Sequence, residues 1–129
     1  MRCVIYARFS SDMQSEQSID DQVRVCRALA DRQGWQVVEV YADYALSGAS
    51  ATRPRYQQMQ ADLRTGRFER VVAESLDRIS RDQEHIAGFY KAARFAGVEI
   101  VTQSEGEISE LNERSGMMAF MRLRDTSVD

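Results

Sequence analysis

The feature that most constrains the fold is a fourfold alternation of short apolar runs with longer amphipathic stretches. Cys3-Val4-Ile5-Tyr6-Ala7, then Gln36 to Tyr41, Arg70 to Glu74 and Val98 to Thr102, are brief and largely β-branched, as buried strands are. Between the first two, Ile19, Val23, Cys26, Leu29 and Ala30 recur at helical spacing. Ser18 with Asp21 reads as the N-cap of that helix, and Gly34 as its stop. Ala42 to Arg53, including Asp43, reads as a loop. Pro54 suits the first turn of a second helix, whose apolar side is Tyr56, Met59 and Leu63 and whose end is Gly66. Ser80 with Gln83 resembles a capping box before a third helix carrying Ile86, Phe89, Tyr90 and Ala93. Gln103 to Asn112 is acidic and reads as irregular, and Met117, Met118, Phe120 and Met121 read as the start of a last helix. Strand–helix alternation of this kind predicts a three-layer α/β domain. The sheet is expected to be mostly parallel, with four or five strands in the order 2-1-3-4 and helices on both faces.

Composition excludes several classes. No run approaches the roughly 18 consecutive apolar residues of a membrane span. The N-terminus enters a strand directly, without a basic-then-apolar leader, so a cytoplasmic location is expected and no membrane partner. Cys3 and Cys26 each fall on an apolar pattern and form no CxxC pair, so both read as reduced core residues. The single histidine, His85, lies in a polar helical stretch, so no His-based triad or zinc cluster is expected. The net charge of −3 gives no global pull toward nucleic acid. The basic residues are nevertheless 16 Arg against one Lys, Lys91. Codon bias accounts for that blandly, but Arg is also the better bidentate phosphate ligand.

Polar clusters follow the carboxyl end of three predicted strands: Arg8 and Ser10, then Asp43, Ser47 and Arg53, then Asp77, Arg78 and Arg81. On an extended strand Tyr6, Arg8 and Ser10 share one face and Ser11 points away. In a doubly wound sheet these ends border one crevice, where ligands bind. The sequence thus brings a Ser, several Arg and one or two Asp together, and a phosphate is the natural anion among such guanidiniums. There is neither GxGxxG nor GxxxxGK[ST], so side chains rather than a backbone cradle would hold it. Two Asp with no further carboxylate or His make a poor hard-metal site, so no metal or cofactor is expected. Bland readings stand beside these. Arg8 and Ser10 would also suit a strand edge and a loop cap, and Asp77 a helix cap or an ion-pair partner for Arg78. Ser47-Gly48 would suit a plain turn.

The run Tyr6-Ala7-Arg8-Phe9-Ser10-Ser11, with Gln14, Ser18-Ile19 and Gln22, resembles the N-terminal motif of the serine site-specific recombinases, the resolvase/invertase family. Leu76-Asp77-Arg78-Ile79-Ser80-Arg81-Asp82 resembles its second motif. Asp43, Ser47-Gly48 and Arg53-Pro54 fit the segment between them. The tract Glu105 to Leu111 is similar to the large-recombinase subgroup. The resemblance implies a resolvase-like fold over residues 1–121 and site-specific recombination of DNA through a 5′-phosphoserine intermediate. It implies Ser10 as nucleophile, with Arg8, Asp77, Arg78 and Arg81 catalytic. Tyr6, Gln22, Ser47 and Arg53 would support the site or bind phosphate. With no histidine among these motif residues, a ring of Arg would stabilise the alkoxide and the pentavalent transition state.

In the family a long basic helix follows the fourth strand, contacts a second copy and leads to a DNA-binding domain. Arg122 to Asp129 do not continue that pattern and read as a tail or the start of a linker helix. Partners implied are DNA and, in a full-length protein, further copies of the chain. The 129 residues by themselves are expected to be a monomer or weak dimer that binds duplex DNA poorly and does not recombine it, although its active-site residues are complete. Two other readings compete: a catalytically silent remnant that only self-associates, and a flavodoxin-like domain for a phosphorylated ligand or flavin.

Overall fold

The computed structural model describes residues 1–9, 17–44, 53–80, 82–108, 111–112 and 117–118. Its centre is a five-stranded sheet in the order β2-β1-β3-β4-β5. The strands are β1 (Arg2–Phe9), β2 (Gln36–Tyr44), β3 (Arg70–Ala73), β4 (Glu99–Thr102) and β5 (Gly106–Ile108). The first four pair in parallel, and β5 turns back antiparallel along β4. The four-strand order is the expected one. β5 corrects the reading of 103–112 as irregular, because Ile108 is buried opposite Ile100 despite its acidic neighbours.

Period-2 alternation divides β1 between two cores. Cys3 and Ile5 face α1 (Gln17–Gln33), against Cys26, Leu29 and Ala30, with Val72 and Val101 on the same face. Val4 and Tyr6 face the other way, toward α2 (Pro54–Asp62), α3 (Leu76–Ile79) and α4 (Gln83–Phe95). Met59, Leu63, Ile79, Phe89 and Ala93 fill that second core. Both cysteines are free and buried, as expected. Burial pushes the Cys26 thiol up to about 12.

The helix starts differ from the expected ones. α1 already includes Gln17, so Ser18 lies within its first turn rather than at the cap. α4 is capped by Asp82, whose carboxylate accepts from the Glu84 and His85 amides, while Ser80 Oγ accepts from the Asp82 amide. Ser80 therefore shapes the approach to the helix and Asp82 caps it. Pro54 does open α2, directly after Arg53, which holds a left-handed φ of 39°. Met117–Met118 form a strand, β7, paired antiparallel with β6 (Leu111–Asn112), where a helix start was expected. The methionine run carries helical propensity, and cross-strand pairing overrides it here. Among the described residues no helix is long and apolar enough to cross a membrane.

Candidate active site

β1 carries the first part of the site. It pairs with β3 only from Cys3 to Ile5, but with β2 all the way to Phe9 opposite Tyr44. Beyond Ile5 the β3 side of β1 would leave backbone groups without a strand partner. Gln22 of α1 takes that place. Its Oε1 accepts from the Arg8 amide at 3.1 Å and its Nε2 donates to the Arg8 carbonyl at 2.9 Å. The carboxamide thus imitates a neighbouring strand, which explains why a Gln only 1% exposed is tolerated in a core-facing position of the helix.

The Arg8 side chain lies on the Tyr6 face and crosses to α3. Its Nη2 donates to the Asp77 carbonyl at 2.7 Å and its Nε to the Arg78 carbonyl at 3.0 Å. Arg53 reaches the same helix end, donating to the Ile79 carbonyl, and bonds the Tyr6 hydroxyl at 3.3 Å. Its guanidinium stacks 3.9 Å from the Tyr56 ring centre. Two cations therefore sit on the last carbonyls of a four-residue helix, the end where its dipole is negative. Those carbonyls supply the compensation for crowded guanidiniums that the sequence left to a phosphate. Arg78 leans on Glu74 at 3.2 Å rather than on Asp77, whose side chain is exposed. Asp77 is inside α3 and does not cap it; the N-cap position is Ser75.

Asp43 corrects its reading as a loop residue. β2 runs on to Tyr44, and Asp43 is 5% exposed on the inner face. Its carboxylate accepts from the Tyr6 hydroxyl at 2.7 Å, the Tyr56 amide at 2.9 Å and the Arg55 amide at 3.0 Å. It thereby caps α2 from a neighbouring strand, since Arg53 at the N-cap position offers no side-chain bond. Burial, more than the neighbouring Asp43, holds the Tyr6 phenol well above its usual range against the pull of Arg53. Tyr6 therefore stays a donor to Asp43. It is fully buried.

The structure brings Tyr6, Arg8, Gln22, Arg53, Asp77 and Arg78 together at the carboxyl ends of β1 and β3. Ser10, Ser47 and Arg81 lie outside the described residues. Sequence reasoning missed the structural duty of Asp43 and the part played by Glu74. Asp43 has no local signature, because its partners are chosen by the fold, whereas Glu74 stands four residues before Arg78, a spacing the sequence does show. Among the described residues no group of three or more His, Cys, Asp or Glu could hold a metal ion.

Arg8 and Arg53 thus converge on the carboxyl end of α3, beside the ends of the parallel strands β1 and β3. The family follows from comparison. The model described as Resolvase, N terminal domain, matches residues 3–123, and the chain belongs to that family. It is similar to the N-terminal catalytic domain of TP901-1 integrase, at 26% identity and a TM-score of 0.75, covering 98% of this chain and 92% of that one. It is also similar to the C-terminal catalytic domain of ISC1926 TnpA, an IS607-like serine recombinase: 26% identity, TM-score 0.69, covering 80% and 69%. A resolvase family site-specific recombinase from Streptococcus pneumoniae shares the fold at 19% identity and a TM-score of 0.75, covering 99% and 90%. No curated protein sequence matches the chain. The chain is thus a catalytic domain of the serine recombinase family.

Proposed function

We propose that this domain cleaves and rejoins DNA in site-specific recombination, with Ser10 as nucleophile. The Ser10 oxygen bonds to phosphorus, the bond to the 3′ oxygen breaks, and a 3′-hydroxyl leaves with a proton. The product is a 5′-phosphoserine link. Attack by a different 3′-hydroxyl on that link reverses the chemistry after strand exchange. Arg8, Arg78 and Arg81 hold the non-bridging oxygens and the charge that builds on them. Arg53 supports the same site from the N-cap position of α2. Asp77 takes or returns a proton. Gln22, Tyr6 and Ser47 keep the frame in place.

The observation that carries this reading is the fixing of Arg8. Its amide and carbonyl are both held by Gln22 two residues before Ser10, and its guanidinium meets the backbone of the helix that bears Arg78. A phosphate arriving there would give the guanidiniums anionic oxygens in place of neutral carbonyls, and charge-assisted bonds are roughly twice as strong. A hydroxyl needs such help, since it is a weak nucleophile at its free pKa. Breaking two duplexes leaves four ends to hold, so the working form contains several copies of the chain on DNA.

The test is incubation with a pool of nicked duplexes randomised around the break, followed by a denaturing gel. Ser10→Ala should abolish the covalent adduct and Ser11→Ala should retain it. An adduct that survives in Ser10→Ala overturns the assignment.

A further inference from the structure

The four-residue α3 is too short to persist alone, yet Arg8, Arg53 and Arg78 all depend on where it sits. Its carboxyl end is held by two guanidiniums. Its amino end has no local cap, because the Ser75 side chain makes no capping bond. The partner comes from 29 residues further on: the Leu76 amide donates to Glu105 Oε1 at 3.1 Å.

Glu105 is itself fixed. Thr102 Oγ1 donates to Glu105 Oε1 at 2.7 Å and accepts from the Glu105 amide at 2.9 Å. Thr102 is 1% exposed, at the end of β4. The turn is also stitched alongside the approach to α3. The Gln103 amide donates to the Ala73 carbonyl at 3.1 Å and the Ser104 amide to the Glu74 carbonyl at 3.0 Å. Thr102-Gln103-Ser104-Glu105 has the spacing of a capping box, but β5 follows where a helix would begin. The carboxylate caps a helix of another segment instead. Negative charge at the amino end and positive charge at the carboxyl end complement the dipole of α3 from both sides.

We propose that Glu105 is a positioning residue for the recombinase reaction, acting through α3 to set Arg78 and the carbonyls that aim Arg8. This rests on the reading of the site given above. Glu105 does not touch DNA in this account. Its removal should slow the chemical step and leave DNA affinity unchanged.

Three variants test it: Glu105→Ala, Glu105→Gln, which keeps an acceptor oxygen, and Thr102→Val, which frees the carboxylate. Two signals report α3 directly by nuclear magnetic resonance, the exchange of the Leu76 amide and of the Arg8 Nε proton. Glu105→Ala should lose protection at both and form the Ser10 adduct about a hundredfold more slowly, the scale of a small misplacement remote from the chemistry. Glu105→Gln should restore most of the protection and rate, and Thr102→Val should fall between. Binding to the nicked-duplex pool should stay the same in all three. Unchanged Leu76 and Arg8 exchange in Glu105→Ala would overturn the proposal, as would a loss of DNA affinity in place of rate. If Glu105→Ala does not fold, Thr102→Val with full protection and full rate overturns it equally. A wild-type protein that forms no adduct defeats the recombinase reading, while the exchange signals still decide whether Glu105 holds α3.

Discussion

Asp43→Ala should be among the most damaging single substitutions in this domain. The carboxylate is 5% exposed and accepts three hydrogen bonds, from Tyr6, Arg55 and Tyr56. Alanine leaves the Tyr6 hydroxyl as a buried donor without an acceptor and frees two amides at the start of α2. A lost helix cap costs about 0.5–2 kcal/mol. Each buried donor stranded by a charged acceptor costs about 1–3 kcal/mol more. These terms overlap, because the cap bonds are two of the three, so the expected loss is about 3–5 kcal/mol. Out of a total stability of about 5–15 kcal/mol, that brings the domain close to unfolding at room temperature. Asp43→Asn keeps one acceptor oxygen and should cost about half as much. Guanidinium denaturation measures both, provided the slope with denaturant is unchanged. A loss under about 1 kcal/mol for Asp43→Ala would refute the claim that this residue joins β1, β2 and α2.

Replacing Arg8, Arg78 or Arg81 singly with Ala should lower adduct formation by about two or more orders of magnitude, as loss of one transition-state donor does. Normal rates in any of them would remove that residue from the site. Gln22→Ala strips both bonds from the Arg8 backbone. It should destabilise the fold by about 1–3 kcal/mol and slow the adduct with DNA binding retained; a loss of stability with no loss of rate would separate Gln22 from the chemistry. Cys3 and Cys26 should resist alkylation at pH 8 until the chain is unfolded, since burial raises both thiols, Cys26 to about 12. Glu99 titrates above the ordinary 4.5, first through burial and then through its bond with Glu107, against the pull of Arg70. A carboxyl raised in the folded state loses stability as pH rises through its folded value. Glu107→Gln should therefore raise the melting temperature at pH 7 and leave it unchanged at a pH below 4.5, by a small amount because Glu99 is 45% exposed.

Much of the architecture was legible because it rests on local pattern. Four β-branched runs gave four parallel strands, and the alternation along β1 placed Tyr6 and Arg8 on one face. What stayed hidden depends on partners far away in sequence. Gln22 reads as a polar residue on a helix until β3 is seen to stop short at its side. Asp43 and Glu105 read as loop acids, since each caps a helix it is not attached to. β5 was missed because three residues with a central Glu carry no alternation to read. The start of α4 was misplaced by two residues because Ser80 and Asp82 are both good caps, and only the backbone direction after α3 decides between them.

The most direct measurement is the chemical identity of the protein–DNA link. Wild-type protein trapped on the nicked-duplex pool would be digested with protease and nuclease and the linked peptide sequenced by mass spectrometry. The account predicts a nucleotide joined through its 5′ phosphate to Ser10, in the peptide beginning after Arg8, with a free 3′-hydroxyl on the other DNA end. A link to any other residue, or one through a 3′ phosphate, would contradict it.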